Sequence, residues 1–427
     1  MAKISRRTFG ALGLGAATAA LSGRGAFAQS GGASFMSFTF AEEPNKPFID
    51  KLIADFKASS GIAVEPIGTA WGDAQKNIVL RQRSKTLPDT AQLQDRWVPA
   101  MATLPEIVDL TPVLGAATLG AIDPGASSLG KVDGKQVAIP LISGSVGFVA
   151  NKEVLAKAGV EKLPVTLDEF RAALVAVRDK VPNSVPYTMA TKNPGAVPLD
   201  ALLIFWAHNA RMIDESGKVL VNSPEGRAAM AFMAGLMKDR LIAPEFDRPD
   251  SRRLFGQGGS AFYVDAPQAR TFARNFSGRG EAMDVNVIPM KTPILKAGDT
   301  PKSVEWGHTV AMFKNANAIG PDTPASKWMK YLLSDAVQTT LPLALGGLPV
   351  TTAGRNAPVV ANDAYLKAWG ATVVQAMKHE VGVWSNGPEL SSILTEEIQA
   401  CILGQKTADA ATASMQTRME ASMAKRG

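Results

Sequence analysis

The chain has 427 residues, a formal net charge of +6, an apolar content ordinary for a globular protein, and one cysteine, Cys401. A single cysteine excludes an intrachain disulfide, so a hydrophobic core must hold the fold, and the length suffices for two domains. Basic and acidic residues are interspersed rather than gathered in blocks, which disfavours a nucleic-acid or polyanion partner.

The N-terminus carries Lys3, Arg6 and Arg7, then a Gly/Ala/Leu-rich run from Phe9 to about Leu21, then Ala26-Phe27-Ala28. A charged start, a short apolar run and an A-x-A site are the three parts of a secretory signal, and the run is too short for a permanent membrane anchor. Ser5-Arg6-Arg7-Thr8-Phe9 resembles the twin-arginine export signal, with Gly10 and Ala11 where Leu and Lys usually follow. The alternative is a tail that stays on. Cleavage after Ala28 would leave Gln29 first and 399 residues, and would remove four basic residues and no acids, leaving a net charge of +2. Cys401 is far from this site and cannot be a lipobox cysteine.

Ser34 to Phe40 alternates and reads as a strand; Phe48, Ile49, Leu52, Ile53 and Phe56 follow at helical spacing, closed by Gly61, before a second strand at Ile62-Ala63-Val64. This strand–helix–strand unit predicts an α/β fold. Val137–Leu141 and Val146–Ala150 read as short strands separated by the permissive Ser143-Gly144-Ser145. Thr166 and Glu169 form a capping-box pattern opening a helix with Leu167, Phe170, Leu174 and Val177. Further along, 224–239 reads as helix, 260–264 and 285–288 as strands, 324–333 as helix, and 393–423 as helix broken at Gly404.

The chemistry-bearing motifs are sparse. There is no G-x-S-x-G elbow, P-loop or H-E-x-x-H, and His208, His308 and His379 never share a helical turn, which argues against a multi-histidine metal site. Gly256-Gln257-Gly258-Gly259-Ser260-Ala261 precedes a strand instead of opening a helix, so it reads as a tight turn and not a dinucleotide site. Nothing calls for a cofactor. What remains is a scatter of tryptophans, Trp71, Trp97, Trp306, Trp328, Trp369 and Trp384, set among Asp, Gln, Asn and Gly. Aromatic faces beside amides and carboxylates suit a polyhydroxylated ligand, whereas Trp328, on the apolar face of its helix, reads as core.

The order of landmarks resembles the family 1 extracellular solute-binding proteins of ABC importers, the sugar-binding group that includes maltose-binding protein. The landmarks are the opening strand–loop–helix of Phe35 to Ile62, Leu87-Pro88-Asp89 leading to Gln94-Asp95-Arg96-Trp97, Leu110-Thr111-Pro112 and Asp133 to Pro140. They continue through Asn151-Lys152-Glu153, Leu163 to Phe170, Ala325 to Leu333, Gly346-Gly347-Leu348-Pro349-Val350 and Ile402-Leu403-Gly404; Asn193 to Arg211 is the least family-like stretch. The resemblance implies two α/β lobes, 29–142 plus 289–335 and 143–288 plus 336–427, joined by hinge strands, with Ser143 and Gly144 at the hinge. It implies a ligand set of Glu42, Glu43, Trp71, Asp95, Arg96, Tyr263, Asp265, Trp306, His308 and Trp384, and no catalytic residue. The expected protein is a monomeric periplasmic receptor that captures a mono- or oligosaccharide or polyol and delivers it to an ABC permease. Two alternatives stay open: a receptor for a polyamine, amino-acid derivative or phosphorylated polyol, and a secreted glycosidase using two carboxylates.

Overall fold

The computed structural model describes residues 31–425; the expected export signal and its cleavage site lie outside them. The nine strands of the main sheet are β1 (Ala33–Ser37), β2 (Val64–Gly68), β3 (Thr90–Gln94), β4 (Ala138–Asn151), β5 (Val185–Tyr187), β6 (Ser260–Asp265), β7 (Val287–Met290), β8 (Lys302–Met312) and β9 (Gln375–Met377). The helices that matter below are α1 (Lys46–Ser60), α2 (Ala74–Arg83), α3 (Leu167–Lys180), α4 (Val197–Ala207), α5 (Arg248–Gly256), α6 (Pro324–Leu332), α7 (Gly387–Ile402) and α8 (Ala408–Ala424).

β1 pairs in parallel with β2 on one side and β3 on the other, with α1 as the crossover, as the strand–helix–strand pattern predicts. α1 buries Ile49, Leu52 and Phe56 and stops at Gly61, whose φ of 73° is the left-handed conformation that glycine enters without steric cost. Phe56 meets the buried Trp328 of α6 at 5.2 Å, so Trp328 is core, as its helical spacing indicates. β1 ends three residues earlier than its alternation suggests. The Ser37 hydroxyl accepts from Phe40 N (3.0 Å) and donates to Gln92 Oε1 (2.7 Å), turning Phe38–Ala41 into a helical turn.

β4 is one unbroken strand where the sequence suggests two. Its first part, Ala138 to Val146, runs antiparallel to β8, while Gly147 to Asn151 lies between β6 and β7. Ser143 also exchanges two backbone bonds with Leu348, at 3.0 and 2.8 Å, so the flexible Ser-Gly-Ser is held extended by partners on both sides. β4 thereby joins two groups of strands, β2-β1-β3-β8 and β6-β5 with β7, each layered with helices. These are the two lobes. α3 carries the complete capping box, Glu169 N donating to Thr166 Oγ1 and Thr166 N to Glu169 Oε2. α4 is buried along its whole length, apolar except for Asp200, whose carboxylate is paired with the buried Arg248, and it anchors the second lobe together with α7 and α8. The glycine-rich run before β6 is a tight turn, with Gly258 at φ 78°. No helix among the described residues is long and apolar enough to cross a membrane.

Candidate functional site

Three of the places where the lobes meet bring together residues singled out in the sequence. At the first, β3 ends in a short turn holding Asp95, Arg96 and Trp97. The Arg96 guanidinium donates to Gln94 Oε1 (2.8 Å) on its own lobe and to Gly195 O (3.2 Å) on the other, and lies 5.5 Å from the Trp71 ring and 5.6 Å from that of Trp97. Gly382, in the loop before α7, packs against the Arg96 backbone from the second lobe. Between these surfaces is a cavity of about 470 Å³, bordered on one side by Asp73 just before α2, Lys76 and Arg83 of α2 and Trp97, and on the other by Asn193, His379 and Ser391. It has the size and mixed apolar–polar lining of a small-molecule site.

At the second place, deeper in, Arg252 of α5 binds Asp265 through Nε and Nη2 (2.8 and 3.0 Å) and reaches across to Glu42 through Nη1 (3.1 Å). Asn45 donates a further bond to Glu42 (2.8 Å). Burial pushes the Glu42 carboxyl above its usual range despite Arg252. For Asp265 the balance runs the other way, the bidentate Arg252 overcoming burial and holding it below that range. Neighbouring His308 stands edge-on to Phe38 (4.9 Å) and Trp306 (4.7 Å). Gln92 is oriented by Ser37 and Thr39, so its amide nitrogen donates to His308 Nδ1 (3.0 Å), and the ring hydrogen on Nε2 is left buried without an acceptor.

The third place is a cavity of about 430 Å³ beside β4, bordered by Ser143, Gly144, Trp306 and Trp369. A methyl group on Gly144 would lie 3.3 Å from Trp306, so this strand passes close under the indole.

Of the residues singled out in the sequence, Trp71, Asp95 and Arg96 gather at the first place, Glu42, Asp265, Trp306 and His308 at the second, and Ser143, Gly144 and Trp306 at the third. Glu43 is exposed and makes no ion pair among the described residues. The Tyr263 ring lies in the second lobe's core, 4.5 Å from Phe255. Trp384 is half-buried and donates to Glu380 O (2.9 Å). The ligand set implied by the sequence lacks Lys76, Arg83, Asn193, Arg252, His379 and Gly382, and it lacks Trp97, which stands only among the scattered tryptophans. Trp97 and His379 were visible as an aromatic and a histidine, but nothing local marks either as cleft-facing. Among the described residues no three His, Cys, Asp or Glu side chains come together to hold a metal.

The charged groups here make stability depend on pH. Burial, then Arg252 and Arg96, pushes His308 down to about 3, and burial, then Arg96, does the same to His379. Both are neutral when folded and take up a proton near the ordinary histidine pKa only when unfolded, so the stability they contribute is complete above that value and is lost as pH falls. Asp95, raised by burial to about 6 against the pull of Arg96, acts in the opposite sense, gaining its proton first in the folded chain. Glu42, likewise raised by burial, acts with Asp95. Both histidines take up protons in the unfolded chain across this range, and the unfolding free energy should fall between roughly pH 7 and pH 5. Urea unfolding at the two pH values checks this; a rise on acidification would contradict it.

Comparison with known proteins agrees with this geometry. The family described as bacterial extracellular solute-binding protein matches residues 51–368. A binding protein of Brucella abortus (strain 2308) is 22% identical over 399 residues, covering 90% of this chain and 92% of its own. Among solved structures, the GacH receptor of Streptomyces glaucescens GLA.O, determined unliganded and with acarbose, superposes with a TM-score of 0.80 at 20% identity, covering 93% of this chain and 100% of its own. An ABC transporter solute-binding protein of Thermotoga lettingae TMO bound to α-D-tagatose gives a TM-score of 0.80 at 18% identity, with 92% and 100% covered. Both share the two-lobed fold.

Proposed function

The chain belongs to the bacterial extracellular solute-binding protein family, and from that premise we propose that it captures a mono- or oligosaccharide or polyol between its lobes and delivers it to the permease of an ABC importer. The observation that carries the reading is the first interlobe cavity, lined together by Trp97, with Arg96 at its ring, and by Asn193 and Ser391. Sugar C–H faces stack on an indole while hydroxyls take hydrogen bonds from neighbouring polar groups. The acarbose and tagatose complexes of proteins with the same fold favour the same solute class.

Capture needs no reacting group, and binding and release follow from the lobes. The solute touches both surfaces only when they are together, so it favours the closed form by its differential affinity. The lobes are 29–142 plus 289–335 and 143–288 plus 336–427, hinged at Ser143 and Gly144 and working as a periplasmic monomer. β4, running from one strand group into the other through these residues, supports that division. A cationic solute such as a polyamine is disfavoured because Glu42 and Asp265 are already neutralised by Arg252. Mass spectrometry of small molecules released from the purified mature protein tests the reading: hexose-, hexuronate- or polyol-type masses are expected, and a polyamine or amino-acid derivative in stoichiometric amount would refute it.

A further inference from the structure

The cavity between α2 and α7 is electrostatically one-sided. Asp73 is its one acidic lining residue, against Lys76, Arg83 and Arg96. Lys76 and Arg83 are exposed on the α2 face, seven residues apart and so on one side of the helix, and neither forms an ion pair among the described residues. Arg96 is buried between the lobes, its two terminal nitrogens donating to neutral carbonyl oxygens, those of Gln94 and Gly195. Asp95 is the adjacent carboxylate, and it is held from the other side by Gly307 N at 3.2 Å.

His379 adds a directed donor to the same wall. Its residue is 4% exposed, and its Nδ1 accepts from Val381 N (3.3 Å) and Gly382 N (3.1 Å). That fixes the ring hydrogen on Nε2, where it finds no acceptor among the described residues. A neutral imidazole N–H, two unpaired cations and a partly desolvated guanidinium facing one cavity make a receptor for negative charge. The first turn of α7 opens on the same cavity with the positive end of its dipole, although its N–H groups are already used by Trp384 O and Asn386 O. Glu389 in that turn is directed instead toward Lys425.

We propose that this cavity selects carbohydrates bearing an anionic substituent, a carboxylate or a phosphate, seated against Lys76, Arg83 and Arg96 with the His379 Nε2–H as its donor. The inference rests on the carbohydrate reading above and narrows its substrate class. Neutral sugars gain only the stacking and hydroxyl contacts; an acidic one also pairs with charges that otherwise face water.

Calorimetric titration of the mature protein against matched probes tests it: glucose with glucuronate and glucose 6-phosphate, cellobiose with cellobiuronate, and inorganic phosphate alone. The acidic member of a pair should bind at least about tenfold more tightly, the advantage falling as salt rises. Whichever of glucuronate and glucose 6-phosphate binds better identifies the anionic group. In the double variant Lys76→Gln/Arg83→Gln, which changes exposed side chains, the acidic ligands should weaken about tenfold more than their neutral partners, so that the preference for the acidic member disappears. Asp73→Asn should strengthen acidic binding. Neutral sugars binding as well as their acidic partners would overturn the anionic subsite and leave the carbohydrate reading standing. Inorganic phosphate binding with dependence on Lys76 and Arg83, with no carbohydrate binding, would uphold the subsite and overturn the carbohydrate reading. Absence of binding by every probe would overturn both.

Discussion

Gly382→Ala should weaken solute binding about hundredfold while each lobe stays folded. Gly382 lies in the loop before α7, and a methyl group there would stand 2.5 Å from Arg96 Cβ and 3.0 Å from Arg96 O, both on the opposite lobe. Its φ is not in the left-handed region, so alanine fits the local backbone and the collision is with the other lobe alone. The Arg96 backbone cannot yield without moving the turn that carries Asp95 and Trp97. The cheaper relief is to part the lobes, which removes the conformation that binds. Overpacking of this kind costs about 1–3 kcal/mol, and a closed state disfavoured by nearly 3 kcal/mol lowers apparent affinity by about two orders of magnitude. Titration and urea unfolding on the same variant check it. Unchanged affinity, or loss of affinity accompanied by a matching loss of stability, would contradict the interlobe assignment.

The second large effect is on stability. Arg252→Met removes the cation that Asp265 and Glu42 share and leaves two carboxylates facing each other in a buried interface, compensated by Asn45, the Ala266 N–H and the more distant charge of Arg248. Breaking a buried pair from one side costs about 3–5 kcal/mol, because the remaining charge stays desolvated. The lost packing of the guanidinium over the Phe272 ring, 3.9 Å away, adds to the loss. Glu42→Gln is the informative partner experiment. Arg252 then keeps its bidentate bond to Asp265 and the amide oxygen can still accept, so that variant should lose only about 1 kcal/mol. If both variants lost the same amount in urea unfolding, the bridge between the lobes and not the Asp265 pair would be the stabilising element.

The sequence carries more of the fold than of the site, for physical reasons. Local signals such as the Thr166–Glu169 capping box, Gly61 after α1 and the apolar spacing around Trp328 act within a few residues, and the structure reproduces them. The Ser143-Gly144-Ser145 stretch reads as a break because nothing nearby shows that β8 and Leu348 hold it extended. In the site, Glu42, Asp95, Arg96 and Asp265 carry a polar signature that can be read directly. Their partners do not: Arg252 sits 210 positions from Glu42, and Gly195 lies 99 positions from Arg96. Pairings at that range leave no periodicity or spacing to detect. Tyr263, in a strand two residues before Asp265, shows how a one-face assignment fails in a strand buried on both sides, since its ring turns into the second lobe's core.

The measurement that bears most directly on the central claim is titration calorimetry of the mature protein across neutral and acidic mono- and disaccharides and polyols, with small-angle scattering of the same samples. Saturable binding of at least one carbohydrate at one per chain, abolished or weakened about hundredfold by Gly382→Ala, is the predicted result. A panel without heat, alongside tight binding of a polyamine or amino-acid derivative, would contradict it.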